Sequence, residues 1–229
     1  MVLEFGVKSL WSFNIGGIEI WITQTIVNTW IIMGILIVIA VAVRLMLPKF
    51  QTVPKGIQNG IEIAVDMFDG MVKSSSSEGF LYLGNWFFMV FAFILFSNIG
   101  GVFGLRPPTA DWATTFALAF ATFIIIQIVG IRNRKGSYLK SFFKPIFIFF
   151  PLNLIGELAR PVSLSFRLFG NVLAGVILMT LIYSMAPIYV RFLIPTALHA
   201  YFDIFSGAIQ TYIFCVLSIS FISSSAEEM

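Results

Sequence analysis

Residues 26–46 read IVNTWIIMGILIVIAVAVRLM, and this stretch decides the class of fold. It carries no charge before Arg44, and Pro48 and Lys49 follow directly. A helix needs about 20 consecutive apolar residues to cross the hydrocarbon of a bilayer. In lipid no water satisfies exposed backbone groups, so such a run must bond internally as a helix. The whole chain has the same character. Of 229 residues, 59% are hydrophobic and 11% charged, where soluble domains carry about 25% charged residues. The ten-residue alternation of an outer-membrane barrel is not visible.

Working outward, further spans are expected at 80–104 and 113–131, with the first extended to 25–47. The turn Arg106-Pro107-Pro108-Thr109-Ala110-Asp111 separates the second from the third, and Asp111 is placed to cap the third. Residues 147–185 are apolar for nearly 40 positions, interrupted by Pro151 and Pro161, and 189–223 form another long helical stretch. Both exceed what a perpendicular helix needs, which predicts a steeply tilted hairpin turning near Ala186–Ile188. Residues 54–74 differ: Ile57, Ile61, Ile63, Val65, Met67 and Phe68 are mixed with Lys55, Glu62, Asp66 and Asp69. That mixture predicts an amphipathic helix lying on the membrane surface, with Ser74–Ser77 as a linker. Residues 1–24 lack a compact apolar core followed by a small-residue cleavage site, and so read as an external N-terminal arm. The expected fold is an all-α membrane protein. It forms a single membrane domain over 1–229, with about five transmembrane helices and one amphipathic surface helix.

Basic residues orient the chain. Arg44, Lys49, Lys55 and Lys73 follow the first span, and Arg132, Arg134, Lys135, Lys140 and Lys144 follow the third, whereas the second is followed by Arg106 alone. The positive-inside rule then puts the N-terminus outside and the C-terminus in the cytoplasm. One Cys, Cys215, and one His, His199, cannot supply haem or metal ligand sets. No phosphate-binding loop or nucleophile constellation is present. Neither cofactor, metal, nucleic-acid partner nor catalysis by this polypeptide alone is expected.

Ionisable residues within a span cost roughly 2.5–3.5 kcal/mol on insertion scales, so they mark function by default. Here they concentrate in the last two spans. Asn153, Glu157, Arg160, Ser163, Arg167 and Asn171 recur at helical spacing and fall on one face, with Gly170, Ala174 and Gly175 on or beside it. On the last span His199, Asp203 and Gln210 share a face with Ser206 and Gly207 between them. Two facing polar stripes predict a wet, ion-conducting path. Each residue also has a plainer structural reading. Arg167 could pair with Glu157 or Asp203, Glu157 with Arg160, His199 could simply be packed, and Asn171 and Gln210 could cross-link helices. A secondary transporter also places Arg and Asp at midplane, but internal repeats are not evident.

Arg160-Pro161-Val162-Ser163-Leu164-Ser165-Phe166-Arg167-Leu168-Phe169-Gly170-Asn171 resembles the signature of subunit a of bacterial F-type ATP synthases. Asn153-Leu154-Ile155-Gly156-Glu157, the Pro108–Asp111 turn and Gln210 fit the same family, and the resemblance covers essentially the whole chain. It implies an ion-translocating stator subunit in the bacterial plasma membrane, beside a rotating c-ring whose subunits each carry one buried carboxylate, with peripheral-stalk b subunits as further partners. It implies two offset half-channels for protons or sodium ions, with Arg167 as the arginine between them. Asp203, His199 and Asn98 are expected to line the outer path, Glu157, Arg160 and Ser163 the inner one, and Asn171 and Gln210 to sit near Arg167. Many relatives carry an acid or His where this chain has Val176, which leaves Asp203 as the main titratable group of the outer path.

Overall fold

A computed structural model describes residues 9–15, 18–75, 83–143 and 146–226. The start of the expected arm, Ser76 and Ser77 of the linker, the beginning of the second span at 80–82, Lys144 and the last three residues lie outside the described residues.

The chain opens with an antiparallel hairpin, β1 (Ser9–Ile15) and β2 (Ile18–Thr23), in a register that sets Trp11 against Ile22 and Asn14 against Glu19. Helices then dominate: α1 (Gln24–Met46), α2 (Ile57–Ser75), α3 (Gly84–Ile99), α4 (Trp112–Arg134), α5 (Gly136–Ser141), α6 (Phe150–Met185), α7 (Ile188–His199) and α8 (Gly207–Ala226). A π-helical segment, Ala200–Ser206, joins α7 to α8. Among the described residues five helices are long and apolar enough to cross a membrane. The chain is an all-α membrane protein, and among the described residues the short hairpin, absent from the sequence expectation, departs from that class. Ile35, Ile37, Val38, Ile39 and Val41 of α1 all stand exposed. In water such a patch would be a liability; in lipid it is the solvent-facing surface.

The chain divides into two compact units. The first comprises residues 1–48, 92–114 and 168–211. Here α1 buries only Thr25, Asn28 and Ile32, and Asn28 Nδ2 donates to the Arg106 carbonyl at 2.8 Å. The chain reverses after α3 at Gly104, whose φ of +76° suits a residue without a Cβ. Asp111 accepts the Ala113 backbone N–H at 3.1 Å, capping α4 as its sequence position predicts. In the same unit α6 pairs antiparallel with α7 and the π segment. Tyr183 meets His199, Gly175 lies against Phe202, and Asn171 bonds Ser206.

The second unit comprises residues 49–91, 115–167 and 212–229. Its core joins Phe68 and Val72 of α2, Phe87 of α3, Ile126 and Val129 of α4, and Cys215, Ile219 and Ile222 of α8. Phe68 makes edge-on contacts with Phe88 and Phe91. Only part of the apolar arc of α2 is used this way, since Ile57, Ile63 and Met67 remain exposed. Ser225 Oγ, donating to the Ile126 carbonyl at 3.3 Å, ties α8 to α4.

Candidate functional site

Half-way along α6, Arg167 is exposed, and among the described residues it has no hydrogen-bond or ion-pair partner. Ala159, Ser163, Gly170 and Ala174 are exposed with it at helical spacing, while Leu164, Ser165 and Leu168 are buried. The guanidinium thus stands on a stripe of small residues that turns away from the chain's own packing. The two candidates for a structural ion pair are engaged elsewhere, Glu157 with Arg160 and Asp203 with His199.

In the second unit, Arg160 Nη1 lies 2.9 Å from Glu157 Oε1 and 3.0 Å from Oε2, so the plainer pairing of these two is realised. Gln127 Nε2 of α4 donates to Glu157 Oε2 at 3.4 Å, and the Tyr138 hydroxyl of α5 donates to Gln127 Oε1 at 2.9 Å. The Arg160 guanidinium lies 5.3 Å from the Phe221 ring centroid, a cation–π contact. Tyr138 is buried against Gly130, where a Cβ would come within 2.7 Å of its ring. Burial raises its phenol pKa, and the nearby Glu157 carboxylate raises it further. The hydroxyl therefore stays protonated and keeps donating at neutral pH. Asn153 Nδ2 donates to the Phe142 carbonyl at 2.8 Å, tying the start of α6 to the loop before it.

In the first unit, His199 Nδ1 lies 2.5 Å from Asp203 Oδ2, and His199 Nε2 lies 3.2 Å from the Tyr183 hydroxyl. Asp203 sits in the π segment, where the widened turn brings residues four apart nearly into line. Such segments are frequent at functional sites. Its carboxylate packs directly over Gly101, where a Cβ would lie 2.7 Å from Oδ2. Asn98, only 2% exposed, accepts from Thr109 Oγ1 at 3.1 Å and donates to the Gly207 carbonyl at 3.4 Å. Asn171 Nδ2 donates to Ser206 Oγ at 3.0 Å, and that hydroxyl returns a bond to Asn171 Oδ1 at 3.2 Å. Gln210 is 7% exposed, and its Nε2 finds no acceptor among the described residues. A buried donor left unsatisfied costs about 1–3 kcal/mol.

The structure thus joins His199 to Asp203 and Glu157 to Arg160, ties Asn171 to Ser206 and Asn98 to Gly207, and leaves Ser163 and Arg167 outward-facing. Sequence reasoning missed Tyr183, Gln127, Tyr138, Thr109 and Gly101. Gln127 carried a signal, being the lone amide of its span; the others are recognisable only by what they touch.

A family model described as ATP synthase A chain matches residues 26–223. The chain belongs to that family. It is 38% identical to the ATP synthase subunit a of Moorella thermoacetica, over 93% of this chain and 94% of that one. It is 34% identical to the ATP synthase subunit a of Trichlorobacter lovleyi, over 90% and 88%. A Propionigenium modestum relative named as sodium ion specific is 33% identical over 89% of this chain and 74% of its own length. As an ATP synthase A chain, this is a multi-pass membrane protein of ion transport and ATP synthesis, working in a complex with other subunits of the membrane sector.

Proposed function

We propose that this chain is the stator half of a rotary ion motor in the bacterial plasma membrane. It offers two offset half-channels to the carboxylates of a c-ring, with b subunits of the peripheral stalk holding it still. The N-terminus is outside and the C-terminus cytoplasmic, and α2 lies along the cytoplasmic surface. The subunit performs no bond chemistry itself; the catalytic head does.

One observation carries the reading: a guanidinium half-way along a membrane-spanning helix, without a partner among the described residues and exposed on a stripe of small side chains. A charge at such a depth is costly, so its counter-charge must come from another subunit. A ring carboxylate answers that need. Guanidinium stays protonated at any accessible pH, which a lysine does not guarantee. It favours the ionised carboxylate as each one passes, forcing release of the ion on one side, and it repels cations that would leak straight through. Each elementary charge crossing 100 mV releases about 2.3 kcal/mol to drive rotation. Asp203, His199 and Asn98 serve the outer path, and Glu157, Arg160 and Ser163 the inner one. Gln210 and Asn171 order the polar surroundings of the ring carboxylate as it passes.

Arg167→Ala tests this. Ion-driven ATP synthesis in reconstituted vesicles should fall to background while the complex still assembles with its ring. Coupled synthesis persisting in that variant would overturn the proposal.

A further inference from the structure

We propose that the hairpin of β1 and β2 is an interfacial anchor, lying flat in the lipid surface at the outer end of α1. Its partner is the boundary between headgroups and acyl chains. That the leaflet is the outer one rests on the topology proposed above; the anchoring does not.

Three observations support the anchor. The first is pattern. Residues directly opposite in an antiparallel pair share one side of the sheet, and successive residues alternate between the sides. The register pairs Trp11 with Ile22, Phe13 with Ile20 and Ile15 with Ile18, so one side is apolar at all six positions. The pairs Ser12–Trp21 and Asn14–Glu19 make up the other side. Glu19 is the only charged residue of the two strands.

The second is place. β2 ends at Thr23 and α1 begins at Gln24, so no linker separates hairpin from span. The 23 residues of α1, at about 1.5 Å each, reach about 35 Å. That is slightly more than the hydrocarbon thickness of about 30 Å, which fixes the base of the hairpin at the edge of the bilayer. Ile26 and Trp30, in the first two turns of α1, are exposed and carry the apolar surface on into the lipid.

The third is exposure. Trp11 is 62% exposed and Trp21 52%. Trp11 belongs to the apolar side, and no described residue covers it there. Indole joins an apolar ring to a polar N–H, and Trp is enriched at membrane–water boundaries for that reason.

The same facts set the tilt. The six residues of β2 span about 20 Å at about 3.4 Å each. Standing upright, the hairpin would carry the Ile15–Ile18 pair that far into water. A lone two-stranded hairpin is marginal in water and needs an apolar partner to persist. Lying flat, it sets its whole apolar side against acyl chains while Ser12, Asn14 and Glu19 stay hydrated. Water also remains within reach of its two unpaired edges, which the bilayer centre would deny them. Such an anchor resists piston and roll of α1, a span that buries only Thr25, Asn28 and Ile32 against the rest of the chain.

The test uses the whole complex in lipid nanodiscs, cleared of reactive cysteines, with one spin label at a time. Power saturation reads collision with oxygen, which concentrates in lipid, and with a water-soluble nickel chelate. Labels at Phe13→Cys and Ile20→Cys should favour oxygen several-fold more than labels at Asn14→Cys and Glu19→Cys, and lie about 5–10 Å into the boundary. Nickel reaching all four labels equally would mean a hairpin standing in water and would overturn the anchor. Neither reagent reaching Phe13→Cys and Ile20→Cys would mean that another polypeptide covers that side, and would overturn it too. A second measurement avoids labels on the hairpin. Brominated acyl chains should quench tryptophan fluorescence less when Trp11→Phe and Trp21→Phe are combined; unchanged quenching would overturn the anchor. A nanodisc opens both faces of the bilayer to nickel, so none of these results depends on which leaflet holds the hairpin. A lipid-bound hairpin on the cytoplasmic side would overturn the topology alone.

Discussion

The Asp203 carboxylate packs closely over Gly101 in the first unit. A Cβ on Gly101 would fall 2.7–3.0 Å from all three carboxylate atoms, distances that real Cβ atoms do not adopt. Gly101→Ala therefore forces Asp203 out of its place over the turn. Overpacking of this kind costs about 1–3 kcal/mol, but the larger effect should fall on function. We expect ion flux through the membrane sector to drop while the complex still copurifies with its ring. Normal flux in Gly101→Ala would mean that the carboxylate position is not critical. Gly207 is similarly restricted, because a Cβ there would meet Asn98 Cβ at 2.9 Å. The sequence placed Gly207 on the polar face of its span but gave no sign that either glycine meets a close neighbour, since a close approach is defined by the partner. Arg167 could be singled out: a charge amid Leu, Phe and Val announces itself, and its face follows from helical period alone. His199 and Asp203 were legible as neighbours for the same reason, being one turn apart, whereas Tyr183 lies on another helix and no spacing rule reaches it.

Among the elements, the spans were the most legible, because lipid tolerates so few side chains that twenty residues suffice to mark a helix. The opening hairpin was not read, although Trp11, Phe13 and Ile15 alternate up to Gly16-Gly17, and Ile18, Ile20 and Ile22 alternate after it. Alternation flanking a Gly pair is a hairpin signal, masked here by the expectation that a membrane protein is helical. The π segment was also invisible, since one added residue per turn leaves no mark in composition. At the element scale α5 offers a clean test. Tyr138 bonds Gln127, and Gln127 bonds Glu157. Tyr138→Phe removes one neutral hydrogen bond, worth about 1 kcal/mol, and should lower the thermal midpoint of the complex by a few degrees without blocking flux. Because the fold raises the phenol pKa above 10.0, folding holds this proton more tightly than the unfolded chain does. Its contribution is full below pH 10.0 and lost as pH rises through the higher folded value. Tyrosinate absorbance followed through alkaline pH should show one phenol ionising late. Uniform titration of all the tyrosines would contradict the burial.

For the whole molecule the orientation is the quantity to measure. Asn14 and Lys135 are both exposed, and the sole native thiol, Cys215, is buried. A membrane-impermeant maleimide should label Asn14→Cys in intact cells and Lys135→Cys only after the cytoplasmic face is opened. The opposite pattern would invert the topology and exchange the outer and inner paths. At this scale the sequence carried the class and the family, because the signature around Arg167 is long and unusual. The family resemblance also implied a division of the polar residues, with His199 and Asp203 on an outer path and Glu157 and Arg160 on an inner one. The Glu157–Arg160 group and the Tyr183–His199–Asp203 chain belong to different compact units, a grouping set by tertiary packing.

The stripe of Ala159, Ser163, Gly170 and Ala174 beside Arg167 bears on mechanics as well as charge. Interlocked knobs and holes make a ratchet, in which every shift of register must climb over a side chain. If the proposed ring passes along this face, the small side chains there offer it little corrugation, although the exposed Phe166 stands beside them. On the proposed function the surface would act as a plain bearing with one electrostatic detent, and a bulky substitution at Ala174 should raise friction and slow turnover before it loosens the complex.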